Sequence, residues 1–329
     1  IGLLRSGQGP GRGPATPQQH TRFTPQQATP RAGLRRWRRF RQPQRQRRAP
    51  GQHQQVVFKS PEIELHALFQ PLGVAGALSQ SATNNPLADP SIIGTSAGAS
   101  LGASLAVVLN IASIGTLGVT VAATVGALVA SLLTFALSRS VLQLVIVGIA
   151  TSALFTAATG LMISVADKPE ARSISFWSLG SLALANSNTL SLLTPLVIAT
   201  SILGWYYSQR LDLLVLGDRE VGHLGFNPQR MRLIAFILIS VLIATAVSTV
   251  GSIAFLALAA PHITRYLIGP SNRPLMIGSA VIGAGLLLVA DTAARTIAPP
   301  IELPIGLITS LIGAPILILI LRKSGEVWR

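Results

Sequence analysis

Long apolar runs dominate the sequence after about residue 60, and they constrain the fold more than any other feature. A helix needs about 20 mostly apolar residues to cross a hydrocarbon core about 30 Å thick. Several runs approach that length, two shorter ones accompany them and a weaker one precedes them. The long runs are 115–137, 141–165, 189–208, 231–250, 276–297 and 305–322, the shorter runs are 95–111 and 252–268, and the weak run is 64–80. We therefore expect the chain to cross a membrane several times.

These spans are expected to be helices, because backbone polar groups inside lipid must find hydrogen-bond partners within their own segment. Only 11% of the residues are charged, whereas a soluble domain has about 25%. Small residues are abundant within the spans, as in "GTSAGASLGAS" from residue 94, and they let helix backbones approach closely. The sequence predicts an all-α fold, a polytopic transmembrane bundle of about eight to ten helices.

The charges between the spans predict the orientation of the chain. If the C-terminus is cytoplasmic and the eight spans after the weak run alternate, one side of the membrane receives most of the basic residues. That side has Arg139, Arg210, Arg219, Arg230, Arg232, Arg265, Arg273, Arg322, Lys323 and Arg329, and the other has Lys168, Arg172 and Arg295. Cytoplasmic loops carry an excess of Lys and Arg. We therefore expect the first side, called the basic end below, to face the cytoplasm.

Residues 1–58 differ in composition from the rest of the chain. They contain twelve arginines and no lysine or acidic residue, whereas residues 59–329 carry a net charge of only +3. A segment rich in Arg, Gln, Pro and Gly buries too little apolar surface to offset its ordering entropy, so we expect a disordered tail before a transmembrane domain at 59–329. Three interpretations of the tail stay open: a polybasic segment near anionic lipid, a nucleic-acid arm, or a stretch that is not native coding sequence, such as a shifted reading frame.

Residues 94–98 have the G-x-S-x-G spacing that places a hydrolase serine, here Ser96, on a sharp turn between a strand and a helix. The preceding "NPLADPS" is a turn punctuated by proline and does not resemble a strand. The later histidines, His223 and His262, are predicted at the basic end. We therefore favour packing of small residues at a helix start, with an intramembrane serine hydrolase using Ser96 as the alternative.

The loop 214–232 carries more charge than any other loop after the tail. Gly217, Gly222 and Gly225 are expected to divide it into one or two short helices, with Asp218 as the cap of the first. It is either an ordinary solvated loop or a docking surface for a soluble partner. The chain contains neither a P-loop nor a G-x-G-x-x-G signature, so we expect any energy source to lie on another chain.

Ionisable residues in or near the last spans are further candidates for function. His262 and Arg265 are predicted near one end of the bundle, and Asp291, Arg295 and Glu302 toward the other. Asp291 and Arg295 are also spaced for an ordinary i,i+4 pair. His262 has no second ligand at helical spacing, and we predict no metal site, no cofactor and no catalytic residue.

Four ordered motifs resemble the FecCD-type permeases of bacterial ABC importers for ferric siderophores, haem and cobalamin. They are "NPLADPSIIGTSAGASLGA", "LGDREVGHLGFNPQRMR", "FLALAAPHITRYLIGP" and "ADTAARTIAPPIELPIGLITSLIGAPILILILRK". The resemblance runs in order from about Val74 to Lys323. The family has a complete first helix and a full second helix, whereas the tail stands in that place here. This departure favours the interpretation of the tail as abnormal or frame-shifted.

The resemblance implies a type II importer permease in the bacterial inner membrane that pairs with a second copy or a paralogue. Two cytoplasmic ATPase subunits would dock below it, and a periplasmic or lipid-anchored binding protein would deliver substrate from above. By that similarity, ATPase coupling is assigned to Gly217, Asp218, Arg219, Glu220, Gly222, His223 and Gly225. Arg295 matches a position that faces acidic residues of the binding protein.

A translocation mechanism of alternating access, driven by the ATPase subunits, follows from the same resemblance. Large substrates rich in hydrogen-bonding groups suit a path lined by small and hydroxyl side chains, so Ser96, Ser100 and Ser104 are predicted to line it. They are equally suited to packing against a neighbouring helix. A second alternative, a membrane protein that binds nucleic acid through the tail, is disfavoured, and we expect lipid but no nucleic acid as a partner.

Overall fold

The computed structural model describes residues 62–113, 116–182, 185, 187–298 and 303–327. These residues belong to one compact unit, Lys59–Arg329. The predictions for the tail at 1–58, for Glu302 and for Arg329 lie outside the described residues.

The prediction of an all-α transmembrane bundle is confirmed. The described part of the chain contains α-helices and short 3-10 turns and no strand. The helices are α1 Glu62–Thr83, α2 Thr95–Val108, α3 Leu117–Leu137, α4 Val141–Val165, α5 Lys168–Ser178, α6 Ser187–Leu211, α7 Asp218–His223, α8 Pro228–Val250, α9 Leu256–Ile268, α10 Asn272–Thr296 and α11 Ile305–Val327. Five segments, which correspond to α3, α4, α6, α8 and α10, are long and apolar enough to cross a membrane.

Two parts of the bundle differ from the sequence prediction. The run predicted at 252–268 becomes helical only at Leu256, because Gly251 and Phe255 adopt positive φ angles of 79° and 64° that interrupt the helix. Helix α5 was not predicted, since its eleven residues span only about 16 Å and form no apolar run. It is amphipathic instead, with Ile174 and Trp177 buried.

The weak run predicted at 64–80 contains the most buried segment of the bundle. Residues 71–82 of α1 are all buried, and they pack against α6, α8, α9 and α10. The contact with α9 is so close that a Cβ on Gly76 would overlap the Ala257 carbonyl group. Helix α1 is therefore the centre of this half of the bundle.

The small residues after Gly94 serve helix packing, as predicted. Helix α2 lies against α3 so closely that a Cβ on Gly98 would overlap the Gly126 carbonyl, and one on Gly102 the Ala122 carbonyl. Such contacts follow the small-xxx-small pattern of membrane helices.

The structure gathers six of the predicted basic-end residues at one end of the bundle. Arg232 donates Nε to the Ala82 carbonyl at 3.2 Å, and Arg265 Nη2 lies 3.5 Å from Gln80 Oε1, both at the end of α1. Arg139 and Arg230 share a cavity with Arg232, and Arg210 and Arg273 lie over the rings of Tyr207 and Trp205 in the last turns of α6. Helix α10 starts at this end and places Arg295 at the opposite one.

Candidate functional site

Segment 217–225 forms a short exposed element at the basic end, between α6 and α8. Gly217 begins it with a φ of 92° and ψ of 155°, a conformation that favours glycine. Helix α7 follows, and Gly225, with a φ of 82°, ends the segment. Val221 is completely buried, whereas the other residues of the segment are exposed. Val221 therefore anchors the segment in the bundle, and the rest of its surface is exposed.

Arg232, in the second turn of α8, ties this segment to the centre of the bundle. Its Nη1 and Nη2 donate to the two carboxylate oxygens of Asp218 at 2.8 and 2.6 Å, and its Nε donates to the carbonyl of Ala82. A two-pronged guanidinium contact fixes orientation as well as distance. Because Ala82 lies in α1, one side chain connects α7, α8 and α1.

Asp218 is ionised at neutral pH, and this preserves its ion pair with Arg232. The hydrogen bonds from Arg232 are the main reason that the pKa of Asp218 lies below its ordinary value of 3.8. A carboxyl group with a lowered pKa contributes stability above its ordinary pKa and loses it as the pH falls through the lowered value. Asp218 therefore stays ionised throughout the neutral range, and its ion pair with Arg232 weakens only in acid.

Apolar side chains surround the exposed face of the segment. Leu216, Leu224 and Phe226 are all exposed to solvent beside α7. Gly222 has open space where a Cβ would stand. An exposed cluster of apolar residues among charged ones is typical of a protein-binding surface.

The prediction for this loop was partly wrong in its details. Asp218 does not cap α7, because Gly217 occupies the cap position and the Asp218 carboxylate binds Arg232 instead. Gly222 lies inside α7 and does not divide the loop. Sequence reasoning also missed Val221 and Arg232. Their roles had no local signal, since Arg232 lies fourteen residues after Asp218.

At the opposite end, Arg295 pairs with Asp291 one turn earlier in α10. The Arg295 Nε donates to both carboxylate oxygens, at 2.9 and 3.0 Å, and both side chains are only partly exposed. The i,i+4 pair anticipated from the spacing is therefore present. It fixes Arg295 in the last turn of α10.

The three predicted path serines differ in accessibility. Ser96 and Ser100 are half-buried on α2. Ser104 is completely buried, and its hydroxyl donates to the Leu101 carbonyl at 2.9 Å. Only the first two reach the surface of this chain.

The structure offers no support for the hydrolase alternative. Neither the Ser96 hydroxyl nor His262 Nδ1 has a hydrogen-bond partner among the described residues, so the serine lacks a positioned base. Gly94, which precedes it, follows a 3-10 turn, Pro90–Ile93, and not a strand. Within the described part of the chain, no group of three or more His, Asp or Glu side chains is placed to hold a metal ion.

Comparison with known proteins places this fold in a family. Residues 70–323 match the model of the FecCD transport family. The chain is 41% identical to the hemin transport system permease protein HmuU of Yersinia pestis over 78% of each chain. It is 34% identical to the iron(3+)-hydroxamate import system permease protein FhuG of Bacillus subtilis, over 82% of this chain and 83% of the relative.

Solved structures agree with these relatives. An inward-facing structure described as of the metal-chelate type of ABC transporter matches with a TM-score of 0.76 and 31% identity, over 82% of this chain and 89% of that one. PsaBC from Streptococcus pneumoniae, solved with a Fab, matches with a TM-score of 0.57 at 18% identity and shares the fold alone. The family match covers most of the chain and the structure supplies several membrane-spanning helices, so this protein is multi-pass in the membrane and belongs to the FecCD transport family.

Proposed function

We propose that this chain is the permease subunit of an ABC importer that moves a ferric siderophore, haem or a cobalamin-like chelate across the bacterial inner membrane. The observation that carries the proposal is the exposed segment 217–225, tied through Arg232 to the central helix α1. The names of the relatives, which include hemin and iron(3+)-hydroxamate permeases, support the class of substrate. The basic end faces the cytoplasm in this proposal, because cytoplasmic loops carry an excess of Lys and Arg.

The segment 217–225 is the ATPase-coupling segment in this proposal. Two ATP-binding cassette subunits on other chains dock against α7 and its apolar neighbours, Leu224 and Phe226. Their closure on ATP pushes the segment, and Arg232 passes the displacement to the end of α1. Since α1 packs against α6, α8, α9 and α10, a push at its end moves a large part of the bundle.

Translocation then proceeds by alternating access between this chain and a second copy or paralogue. The two permeases rock against each other, and the path between them opens to one face of the membrane at a time. Ser96 and Ser100, which reach the surface of α2, line the path. The permease itself makes and breaks no covalent bond, because the ATPase subunits carry out ATP hydrolysis.

The opposite end receives a periplasmic or lipid-anchored binding protein. Arg295 supports this docking because its pair with Asp291 holds the guanidinium in one orientation at the end of α10. A positioned arginine at such a rim recognises a carboxylate on a partner and favours its correct orientation.

Single-cysteine cross-linking tests both docking surfaces, since the natural chain contains no cysteine. Three variants are compared: Gly222→Cys in α7, Thr296→Cys beside Arg295, and Gly160→Cys on α4 as the control. All three positions are exposed in this chain. Each carries a thiol-linked photoreactive group in membranes that contain the ATPase and the binding protein.

We expect the Gly222→Cys variant to capture the ATPase and the Thr296→Cys variant to capture the binding protein. The control position lies inside the membrane-spanning helix α4 and is expected to capture neither soluble partner. Capture of the ATPase from position 160 as efficiently as from position 222 contradicts the assignment of the coupling segment. Substituting Ser100 with cysteine extends the test, because a path residue must react with water-soluble thiol reagents in the assembled complex.

A further inference from the structure

Three consecutive residues in the last turn of α1, 80–82, are each bound by a different helix of the bundle. All three are buried, and buried polar groups need hydrogen-bond partners. Arg265 of α9 contacts the side chain of the first at 3.5 Å, and Arg232 of α8 donates to the carbonyl of the last at 3.2 Å. Asn272, the first residue of α10, contacts the middle one. The last turn of α1 is therefore fixed from three sides.

Asn272 extends its contact with α1 to the residue that follows α6. The hydroxyl of Ser81 lies 2.7 Å from the Ala77 carbonyl and 2.5 Å from Asn272 Oδ1, and both oxygens accept hydrogen bonds from it. The backbone amide and the side-chain amide of Asn272 donate to the carboxylate of Asp212. Asn272 is only 4% exposed, whereas Asp212 lies at the surface. One buried side chain therefore joins a surface carboxylate to α1.

Asp212 stands directly before the coupling segment. Residues 212–216 form a 3-10 turn that leads from α6 to this segment and also contacts α1. Asp218 lies on the far side of the same turn and is connected to α1 through Arg232. Asp212 has its own connection, through Asn272. Both connections end in the last turn of α1, on neighbouring residues.

A second connection changes how a push on the segment is passed on. A segment attached at one point can pivot when it is pushed, whereas a segment attached on both sides moves its attachment points. The amino end of α10 carries a partial positive charge, which favours the carboxylate of Asp212 beside it. Since α10 packs against α1, α6 and α9, a displacement of its first residue reaches a second long helix.

We propose that Asn272 is a second positioning residue for ATPase coupling, beside Arg232. It holds the entrance of the coupling segment, through Asp212, against Ser81 of α1 and the start of α10. This inference rests on the proposed function, because it concerns how ATP closure reaches the bundle. Asn272 acts through Asp212 and Ser81 and touches neither the ATPase nor the transported chelate.

A charge-swap experiment in proteoliposomes with the ATPase and the binding protein tests the proposal. The readout is the amount of chelate taken up per ATP hydrolysed at pH 8, for the chelate in a panel of haem, ferric hydroxamate and cobalamin that the natural chain moves best. The variants are Asn272→Asp, Asp212→Ala and the swap Asp212→Asn/Asn272→Asp. The matched control is Asn227→Asp at the start of α8, where aspartate caps a helix as well as asparagine does. The thermal midpoint of each variant is measured in detergent.

We expect Asn272→Asp to lower uptake per ATP by at least about fivefold, because two carboxylates then face each other and repel. The swap is expected to restore it to within about twofold of the natural chain, since Asn at 212 can donate to Asp at 272. The control is expected to stay within about twofold as well. Asp212→Ala breaks the same connection at its exposed end, so it should show the same loss even if Asn272→Asp does not fold.

A merely structural role for Asn272 gives a different result. Loss of folded protein lowers uptake and ATP hydrolysis together and leaves their ratio unchanged, so an unchanged ratio in Asn272→Asp or Asp212→Ala overturns the proposal. A swap that fails to restore the ratio, or an equal loss in Asn227→Asp, also overturns it. These outcomes require ATP-dependent uptake by the natural chain. If the natural chain shows none, the proposed function itself is contradicted, and this inference is contradicted with it.

Discussion

Replacing Gly76 with alanine is expected to leave little folded protein. The new methyl group overlaps the carbonyl of Ala257, and this neighbour is helix backbone, which has no rotamer to change. Overpacking a well-packed core costs about 1–3 kcal/mol when side chains can adjust, and here α1 and α9 must separate. The measurement is the thermal midpoint and the monodisperse yield of the detergent-solubilised protein, both of which should fall sharply.

The matched control is Gly285→Ala in α10. This glycine is also helical, but its added methyl group meets no atom of the chain within 4 Å. The variant is expected to match the natural chain or to exceed it slightly, because alanine favours helix over glycine by about 1 kcal/mol. If the Gly76→Ala variant has the same thermal midpoint as the control, helix α1 does not pack against α9 as described.

Removing either partner of the Arg232 and Asp218 pair is expected to uncouple transport from ATP. In the proposed mechanism this pair passes the movement of α7 to α1, so Arg232→Ala and Asp218→Ala should each reduce ATP-driven uptake by about tenfold, a loss equivalent to about 1.4 kcal/mol. The double variant should be no worse than either single one, because both changes break the same connection. Folding should survive Asp218→Ala, since the Asp218 side chain is 58% exposed and such a pair contributes little stability. The Arg232 side chain is only 16% exposed and also donates to the Ala82 carbonyl, so the thermal midpoint of Arg232→Ala is measured beside its uptake.

The control for this cycle is Arg210→Ala, which removes a positive charge at the same end. Arg210 lies over Tyr207 and has no place in the proposed coupling, so its uptake is expected to stay within about twofold of the natural chain. Uptake is measured in proteoliposomes together with the hydrolysis rate of the ATPase. If the losses of uptake add up in the double variant, or if uptake is unchanged in the single variants, Arg232 does not couple α7 to α1.

Most of the fold was predictable because lipid imposes a simple requirement on the sequence. Long uncharged runs had to become helices, and α3, α4 and α8 begin or end within a few residues of their predicted limits. Helix α1 was harder to predict, since its apolar run is weak and contains Pro71, and its central position depends on contacts with four distant helices. The late start of α9 was missed because Phe255 adopts a positive φ that no sequence pattern indicates.

The candidate site was predictable only in outline. Charge and glycine content identified the loop 214–232 as the notable loop at the basic end, and the family resemblance narrowed it to segment 217–225. The details depended on contacts between residues far apart in sequence, such as Arg232 with Ala82. Three serines at helical spacing appeared equivalent in the sequence, but the packing of α2 buries Ser104 and leaves Ser96 and Ser100 accessible.

In the proposed mechanism, a bundle without an ATP site of its own is driven by a motor on another chain. Uptake into proteoliposomes that contain this chain, its ATPase and its binding protein tests it most directly, with a panel of ferric siderophores, haem and cobalamin as substrates. We expect uptake of at least one chelate, and we expect that uptake to require both ATP and the ATPase. Uptake that persists without ATP, or ATP hydrolysis by this chain alone, contradicts it.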